Sequence, residues 1–416
     1  MLRFVYTALV TATLPFLPVR LWWRGRSESV YRTAIGERFG RFNQIAVAPI
    51  IWVHAVSLGE TRAAQPLIRA LQSEFPQHRI LTTHMTATGR AAAGELYPDA
   101  LHAWLPYDHP WFMRRFLAHF QPQLGIIMET EIWPNLIAAC TRARVPLALV
   151  NARLSERSLR GYERVRSLSR ASFGGFQTIA AQTTADAARI AHLGGSPIVT
   201  GNIKFDVSVP PQTAAVAKSM RSMFGKRRIF LAASTREGEE ALILDALERQ
   251  PLPDTLVVIV PRHPQRFEAV ASEISARGHR LVRRSEGISV PSDCRFFLGN
   301  SMGELAAYYR ACDAAFVGGS LVPTGGQNLI EACHAGIPVL IGPSNFNFAQ
   351  ASDDAVAAGA ALRVSSAHQL IGQVARFMSN ESARILAGER AQQFCEAHGG
   401  ATVRTIAACV GLIRQR

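Results

Sequence analysis

Glu60 closes the segment SLGE (57–60), which follows the apolar run IIWVH (50–54) and precedes an Ala- and Leu-rich stretch of helical spacing. The run reads as a buried strand. Gly59 allows a tight strand-to-helix turn, and Ser57 can cap the helix that follows. A carboxylate at that helix start can take a proton from an acceptor hydroxyl. It can equally do no more than complement the positive end of the helix dipole, and spacing alone does not separate the two. A second acidic pair, Glu129 and Glu131, follows the run LGIIM (124–128) and would point one way while the strand pleat lasts. One of them could polarise a reacting centre or hold a catalytic group, and the other could cap the next helix. Lys204, in GNIKFD (201–206), offers a cation to a departing phosphate oxygen.

The second half of the chain carries groups suited to a nucleotide. Arg262 and His263, in VPRHPQRF (260–267), stand just past an apolar run and could clasp a phosphate. NSMGEL (300–305) places Met302, Gly303 and Glu304 at a turn into a helix. Gly318-Gly319-Ser320 and then Gly325-Gly326 precede a helix expected from about Asn328, through Leu329, Ile330 and Glu331. Backbone N–H groups at such a turn form an anion site, and Glu331 could accept from ribose hydroxyls. No G-x-G-x-x-G or G-x-x-x-x-G-K-[ST] loop occurs. Metal ligation has no support: the aspartates contain no D-x-D, and the histidines and six scattered cysteines show no ligand spacing. Arg153, Arg157, Arg160 and Arg164 follow 3–4 spacing and would share one helix face, either solvated or binding an anionic lipid.

These groups need a scaffold. Apolar runs at 50–54, 79–83, 124–128, 146–150, 178–181 and 197–201 alternate with helix-length stretches, and a second series follows at 228–234, 255–261, 279–282, 294–299, 314–319 and 338–343. Continuous apolar strands between helices mean parallel sheets covered on both faces. The expected class is therefore α/β with two doubly wound domains, 27–205 and 206–416, joined by a Pro-containing linker at 206–213. Ligands in such folds bind at the carboxyl ends of the strands.

The net charge of +14 implies an acidic partner: nucleic acid, an anionic membrane face or a phosphorylated substrate. Aromatic residues do not arbitrate, because they are not interleaved with the basic ones as RNA-stacking modules require; no nucleic-acid partner is expected, on the strength of the N-terminus. Residues 1–26 favour the membrane. Phe4–Val19 is uncharged and ends in Arg20, Trp22, Trp23, Arg24 and Arg26, types that headgroup interfaces attract. The stretch is short for a spanning helix and holds Pro15 and Pro18, so it is expected to anchor or to lie in the interface with its basic flank cytoplasmic. Cysteines without C-x-x-C pairing fit a reducing compartment.

HAVSLGE, METEIWPN, NARLSERS, GNIKFD, PRHPQRF, MGEL and GGSLVPTGGQN, in that order, closely resemble the 3-deoxy-D-manno-octulosonic acid (Kdo) transferases of lipopolysaccharide synthesis. The resemblance runs from about residue 1 to 350. It implies a GT-B fold of two Rossmann-like domains facing across a cleft. It also implies an inverting, metal-independent, cofactor-free transfer from CMP-Kdo to the lipid A precursor lipid IVA at the inner membrane. Carried over motif by motif, Glu60 becomes the base, and Glu129 and Lys204 become transition-state stabilisers. Arg262-His263, Met302-Gly303-Glu304 and Asn328-Leu329-Ile330-Glu331 become the CMP site. Gln327 and Asn300-Ser301 depart from the family's more frequent His and Asp-Thr. The rival readings are another GT-B sugar-nucleotide enzyme and a membrane-anchored binding module without catalysis.

Overall fold

The computed structural model describes residues 2–26, 28–45, 48–206 and 211–414. It divides into two compact units, residues 1–206 with 399–416, and residues 207–398. The expected linker at 206–213 includes 207–210, which lie outside the described residues.

The first unit is built on seven parallel strands: β1 (Ile50–His54), β2 (Arg79–His84), β3 (Leu101–Trp104), β4 (Leu124–Met128), β5 (Leu147–Ala152), β6 (Thr178–Ala181) and β7 (Pro197–Val199). Their order across the sheet is β3-β2-β1-β4-β5-β6-β7. The second unit has β8 (Arg228–Thr235), β9 (Thr255–Pro261), β10 (Leu281–Arg283), β11 (Phe296–Leu298), β12 (Ala314–Val317), β13 (Val339–Ile341) and β14 (Leu362–Arg363), ordered β10-β11-β9-β8-β12-β13-β14. Both are Rossmann-like units, as the alternation of apolar runs implies. The central strands are buried along their whole length because helices cover both faces. Chain direction across the sheet reverses between β1 and β4 in the first unit, and between β8 and β12 in the second. Those are the topological switch points, where α/β sheets open a crevice for ligands.

The C-terminal boundary differs from the expected 206–416. The helix Ala401–Arg414 belongs to the first unit: Ala401, Cys409 and Ile413 are buried in its core beside Ile51, Ala148 and Ala180. The Asp206 carboxylate fixes the start of this helix by accepting from the N–H groups of Gly400 (2.7 Å) and Thr402. Arg404 Nε donates to the Thr200 carbonyl at 2.9 Å. An acid at a helix N-terminus satisfies donors that have no partner within the helix, so Asp206 ties the two ends of the unit together.

The N-terminal segment Leu2–Arg24 is helical throughout apart from a 3-10 turn at Leu14–Phe16, and is long and apolar enough to cross a membrane. Pro15 and Pro18 break the α-helix into two segments joined by that turn without ending the helical path. Each sits in the first turn of a new helical segment, where a missing N–H has no acceptor to lose. Phe4, Leu9, Phe16, Val19 and Trp23 are exposed, whereas Thr7 Oγ1 donates to Asn135 Oδ1 at 3.0 Å. Residues 2–26 thus dock on the first unit with an apolar face left outward, which makes them a candidate membrane anchor.

Candidate active site

Glu60 stands in the first turn of the helix Leu58–Ala63, directly past the carboxyl end of β1 and so on the switch point of the first unit. Ser57 is the N-cap, accepting from Glu60 N at 3.4 Å. The Glu60 carboxylate reaches back in turn: Oε1 accepts from Ser57 Oγ (2.8 Å) and Oε2 from Val56 N (2.8 Å). This arrangement is a variant of the capping box in which the glutamate takes the N–H of Val56, one residue before the N-cap, and the Ser57 hydroxyl. The helix-start role therefore holds, and it fixes where the carboxylate sits. Burial, with smaller pushes from the nearby charges of Glu129 and Glu131, raises the Glu60 carboxyl to about 7 against the two hydrogen bonds that oppose it. Gly59 is not the turn residue: it lies inside the helix without a positive φ, and the space where its Cβ would stand is open.

Glu129 follows β4, the strand beside β1 across the switch point. Its backbone is left-handed, φ 55°, which is rare for a non-glycine residue and ends the strand pleat. Glu129 and Glu131 consequently do not point the same way. Glu129 Oε1 is 2.7 Å from Lys204 Nζ and Oε2 is 3.9 Å from Arg153 Nε, whereas Glu131 accepts from Trp133 Nε1 at 3.0 Å. Burial raises the Glu131 carboxyl, and Glu129 adds to that rise. Lys204 lies on the short turn Ile203–Phe205 beyond β7, in the first unit rather than between the two.

Two asparagines hold that turn. Asn202 Oδ1 accepts from Lys204 N (3.0 Å) and Asn151 Oδ1 from Ile203 N (3.1 Å). Asn151 is also left-handed, φ 55°, at an irregularity of β5, which turns its side chain from the strand's run toward the Lys204 turn. Neither asparagine was singled out by sequence, although NARLSERS and GNIKFD contain them. The four arginines of NARLSERSLRGYERVR do not share a face. The helix covers only Glu156–Glu163, Arg153 and Arg164 lie outside it, and Arg153 faces Glu129 instead.

Beneath Glu60 runs a buried polar chain. His84 Nδ1 meets the Ala55 carbonyl (2.8 Å) and its Nε2 meets Thr82 Oγ1 (3.0 Å), while His54 Nδ1 lies 2.9 Å from Thr83 Oγ1. Burial lowers His54 to about 4 and His84 to about 3, so both rings are neutral. The helix Ala87–Leu96 approaches so closely at Gly89 that a Cβ there would come within 3.1 Å of the Val56 carbonyl. The backbone under Glu60 is therefore rigidly seated.

In the second unit the nucleotide candidates all follow the carboxyl ends of parallel strands: Arg262 and His263 after β9, Met302–Glu304 after β11, and Asn328–Glu331 after β12, with Ile330 and Glu331 in the first turn of a helix. Arg262 Nε donates to Gln327 Oε1 at 3.3 Å, joining the first and third sets. His263 Nε2 faces Arg236 Nη1, and burial with the charges of Arg236 and Arg262 lowers the imidazole's pKa. Glu304 is held by both Nη2 and Nε of Arg284 (2.9 and 3.1 Å). Burial works against its ionisation, but Arg284 and Ser301 outweigh it and keep the carboxyl low. Gly303 takes φ +80°, which its turn requires, and leaves Met302 exposed. The helix begins at Ile330 rather than Asn328 and runs only to His334; Asn328 Oδ1 accepts from Ile330 N at 3.1 Å and starts it. The Gly318–Ser320 turn does form an anion site, but its occupant is internal: Glu239 accepts from Gly319 N, Ser320 N and Leu321 N. Among the described residues no group of three or more His, Cys, Asp or Glu could hold a metal ion.

Residues 33–207 match the family described as 3-deoxy-D-manno-octulosonic-acid transferase, and residues 241–394 match glycosyl transferases group 1. A 3-deoxy-D-manno-octulosonic acid transferase of Bordetella pertussis is 42% identical, over 97% of this chain and 98% of the relative. The enzyme of the same name from Haemophilus influenzae is 36% identical over 84% of each. In structure the chain is similar to UDP-GlcNAc 2-epimerase from Neisseria meningitidis bound to UDP-GlcNAc, with TM-score 0.59 and 15% identity, covering 87% of this chain and 100% of that one. That likeness is one of fold alone. With its near-full-length relatives and its paired family matches, the chain belongs to the 3-deoxy-D-manno-octulosonic acid transferase family of glycosyltransferases, within lipopolysaccharide biosynthesis.

Proposed function

We propose that the protein transfers Kdo from CMP-Kdo to the lipid A precursor lipid IVA, with inversion and without a metal ion, at the cytoplasmic face of the inner membrane. The observation that carries this reading is Glu60, a carboxylate on the switch point whose burial raises it to about 7. A base of that strength is matched to proton transfer near neutral pH. In the proposed step an acceptor hydroxyl oxygen bonds to the anomeric carbon of Kdo on the face opposite CMP. The bond to the phosphate oxygen breaks with its electron pair leaving on CMP, and the hydroxyl proton passes to Glu60.

Glu129 and Lys204 serve the transition state. The anomeric carbon gains positive charge as the bond to CMP lengthens, and the Glu129 carboxylate opposes that charge. Lys204 Nζ gives one hydrogen bond to Glu129 and has others to offer the departing phosphate. Arg262, His263, Met302, Gly303, Glu304 and Asn328–Glu331 take the CMP moiety. Leaving-group charge thus falls to Lys204, Arg262 and backbone donors. The apolar face of Leu2–Arg24, with Arg20, Arg24 and Arg26 kept cytoplasmic, holds the enzyme at its lipid substrate.

The test is to incubate the purified protein with lipid IVA and CMP-Kdo generated in situ and to weigh the lipid products. Lipid IVA heavier by one or more Kdo residues, with inhibition by CMP but not by UDP, is the expected result. Unmodified lipid IVA with active donor present, or inhibition by UDP alone, would overturn the reading.

A further inference from the structure

We infer that Glu239 is a positioning residue for the donor site, acting through the glycine-rich loop after β12. The inference rests on the reading of that loop region as the CMP site. Glu239 is the first residue of the helix Glu239–Arg249 and is fully buried. It lies on the switch point of the second unit, between the loop that leaves β8 and the loop that leaves β12. Its Oε2 accepts from Arg236 N (2.9 Å) and Gly319 N (2.6 Å), and its Oε1 accepts from Ser320 N and Leu321 N (both 2.9 Å). Four backbone donors saturate a carboxylate that would otherwise be very costly to bury.

Two chains of contacts lead from this carboxylate to the proposed CMP groups. On one side Gly319, held at φ +69°, offers its carbonyl to Gly326 N (2.7 Å) and Thr324 Oγ1 (2.9 Å), and the Gly318 carbonyl accepts from Gln327 N (3.1 Å). Gln327 meets Arg262 and directly precedes Asn328. On the other side Arg236, whose N–H the carboxylate holds, places its guanidinium against His263. Glu239 itself has no surface with which to touch a ligand. It braces from below a loop that a nucleotide would meet from above.

The test compares wild type with Glu239→Gln and Glu239→Asp by steady-state kinetics in CMP-Kdo and by calorimetric binding of CMP. In Glu239→Gln an amide NH₂ faces N–H groups, so the loop loses its seat. KM for the donor and Kd for CMP should rise about 10- to 100-fold, the usual scale for losing hydrogen bonds to a charged group, with kcat changed far less. Glu239→Asp, which keeps the charge one methylene short, should recover part of the loss. A role in folding alone predicts a lower melting temperature and less active enzyme with unchanged KM and Kd, and that result would overturn the inference. Should neither variant fold, amide exchange on the wild type decides: Gly319, Ser320 and Leu321 must be protected with or without CMP, and exchange at the rate of an exposed loop overturns it. A wild type that binds no CMP would instead overturn the donor-site reading, which an unchanged Kd in the variants leaves standing.

Discussion

The two switch points carry the same residue type and use it in opposite ways. Each unit has a glutamate in the first helical turn after its first strand: Glu60 after β1 and Glu239 after β8. Glu239 is fully buried and receives four backbone N–H groups. Glu60 is less fully enclosed and receives two donors; burial raises it to about 7, with Glu129 and Glu131 adding smaller pushes in the same direction. Saturated with backbone donors, a carboxylate is suited to brace a loop. Buried with fewer donors and near other carboxylates, it has the raised pKa that the proposed base requires. On the proposed assignments, burial and donor count separate the two roles, and fold position alone does not.

Substitutions can break this comparison or sharpen it. Glu60→Gln should lower kcat/KM roughly 10²- to 10⁴-fold, the contribution of a general base, while calorimetry shows CMP binding retained. Lys204→Met should cost about 10²- to 10³-fold in kcat, the scale of one oriented donor. It also removes the partner 2.7 Å from Glu129 and leaves Arg153 at 3.9 Å. Ser57→Ala removes the cap and one donor to Glu60. Stability should fall by about 1 kcal/mol in a denaturant titration. Activity at neutral pH should drop several-fold and recover at higher pH, because losing that hydrogen bond raises Glu60 further.

The smallest effect concerns the polar chain under Glu60, which has its two histidines in the first unit. Folded His54 and His84 titrate at about 4 and about 3, below the ~6.5 of an unfolded histidine. Their neutral state favours folding in full above pH ~6.5, and the advantage is lost as pH falls from there toward 4. Denaturant titrations across that range should show His84→Asn losing less stability than wild type, by an amount on the order of 1 kcal/mol.

The central strands were legible because their apolar runs are continuous and bounded by turn residues. β3 was not: LHAW is four residues long and carries His102, whose ring meets Thr82 Oγ1 at 2.7 Å, so the strand has no apolar run. β14 is a two-residue edge strand with nothing to announce it. The candidate site was legible where one motif supplies both scaffold and chemistry, as in SLGE. It failed where the contact crosses long stretches of chain. Glu239 meets a loop some 80 residues away, so the Gly318–Ser320 turn read as a ligand site. The Asp206 cap on Gly400 spans 194 residues, and for that reason the last helix was assigned to the wrong unit. Left-handed backbone at Glu129 and Asn151 gave no sign either, since neither position is glycine.

The most direct test of the central claim is the pH dependence of kcat/KM for Kdo transfer by the wild-type enzyme, read between pH 5 and 9 beside Glu60→Gln. The account predicts an acid limb near 7 in the wild type that is missing from the residual activity of the variant. A limb in the ordinary carboxylate range, or the same limb in both proteins, would contradict it.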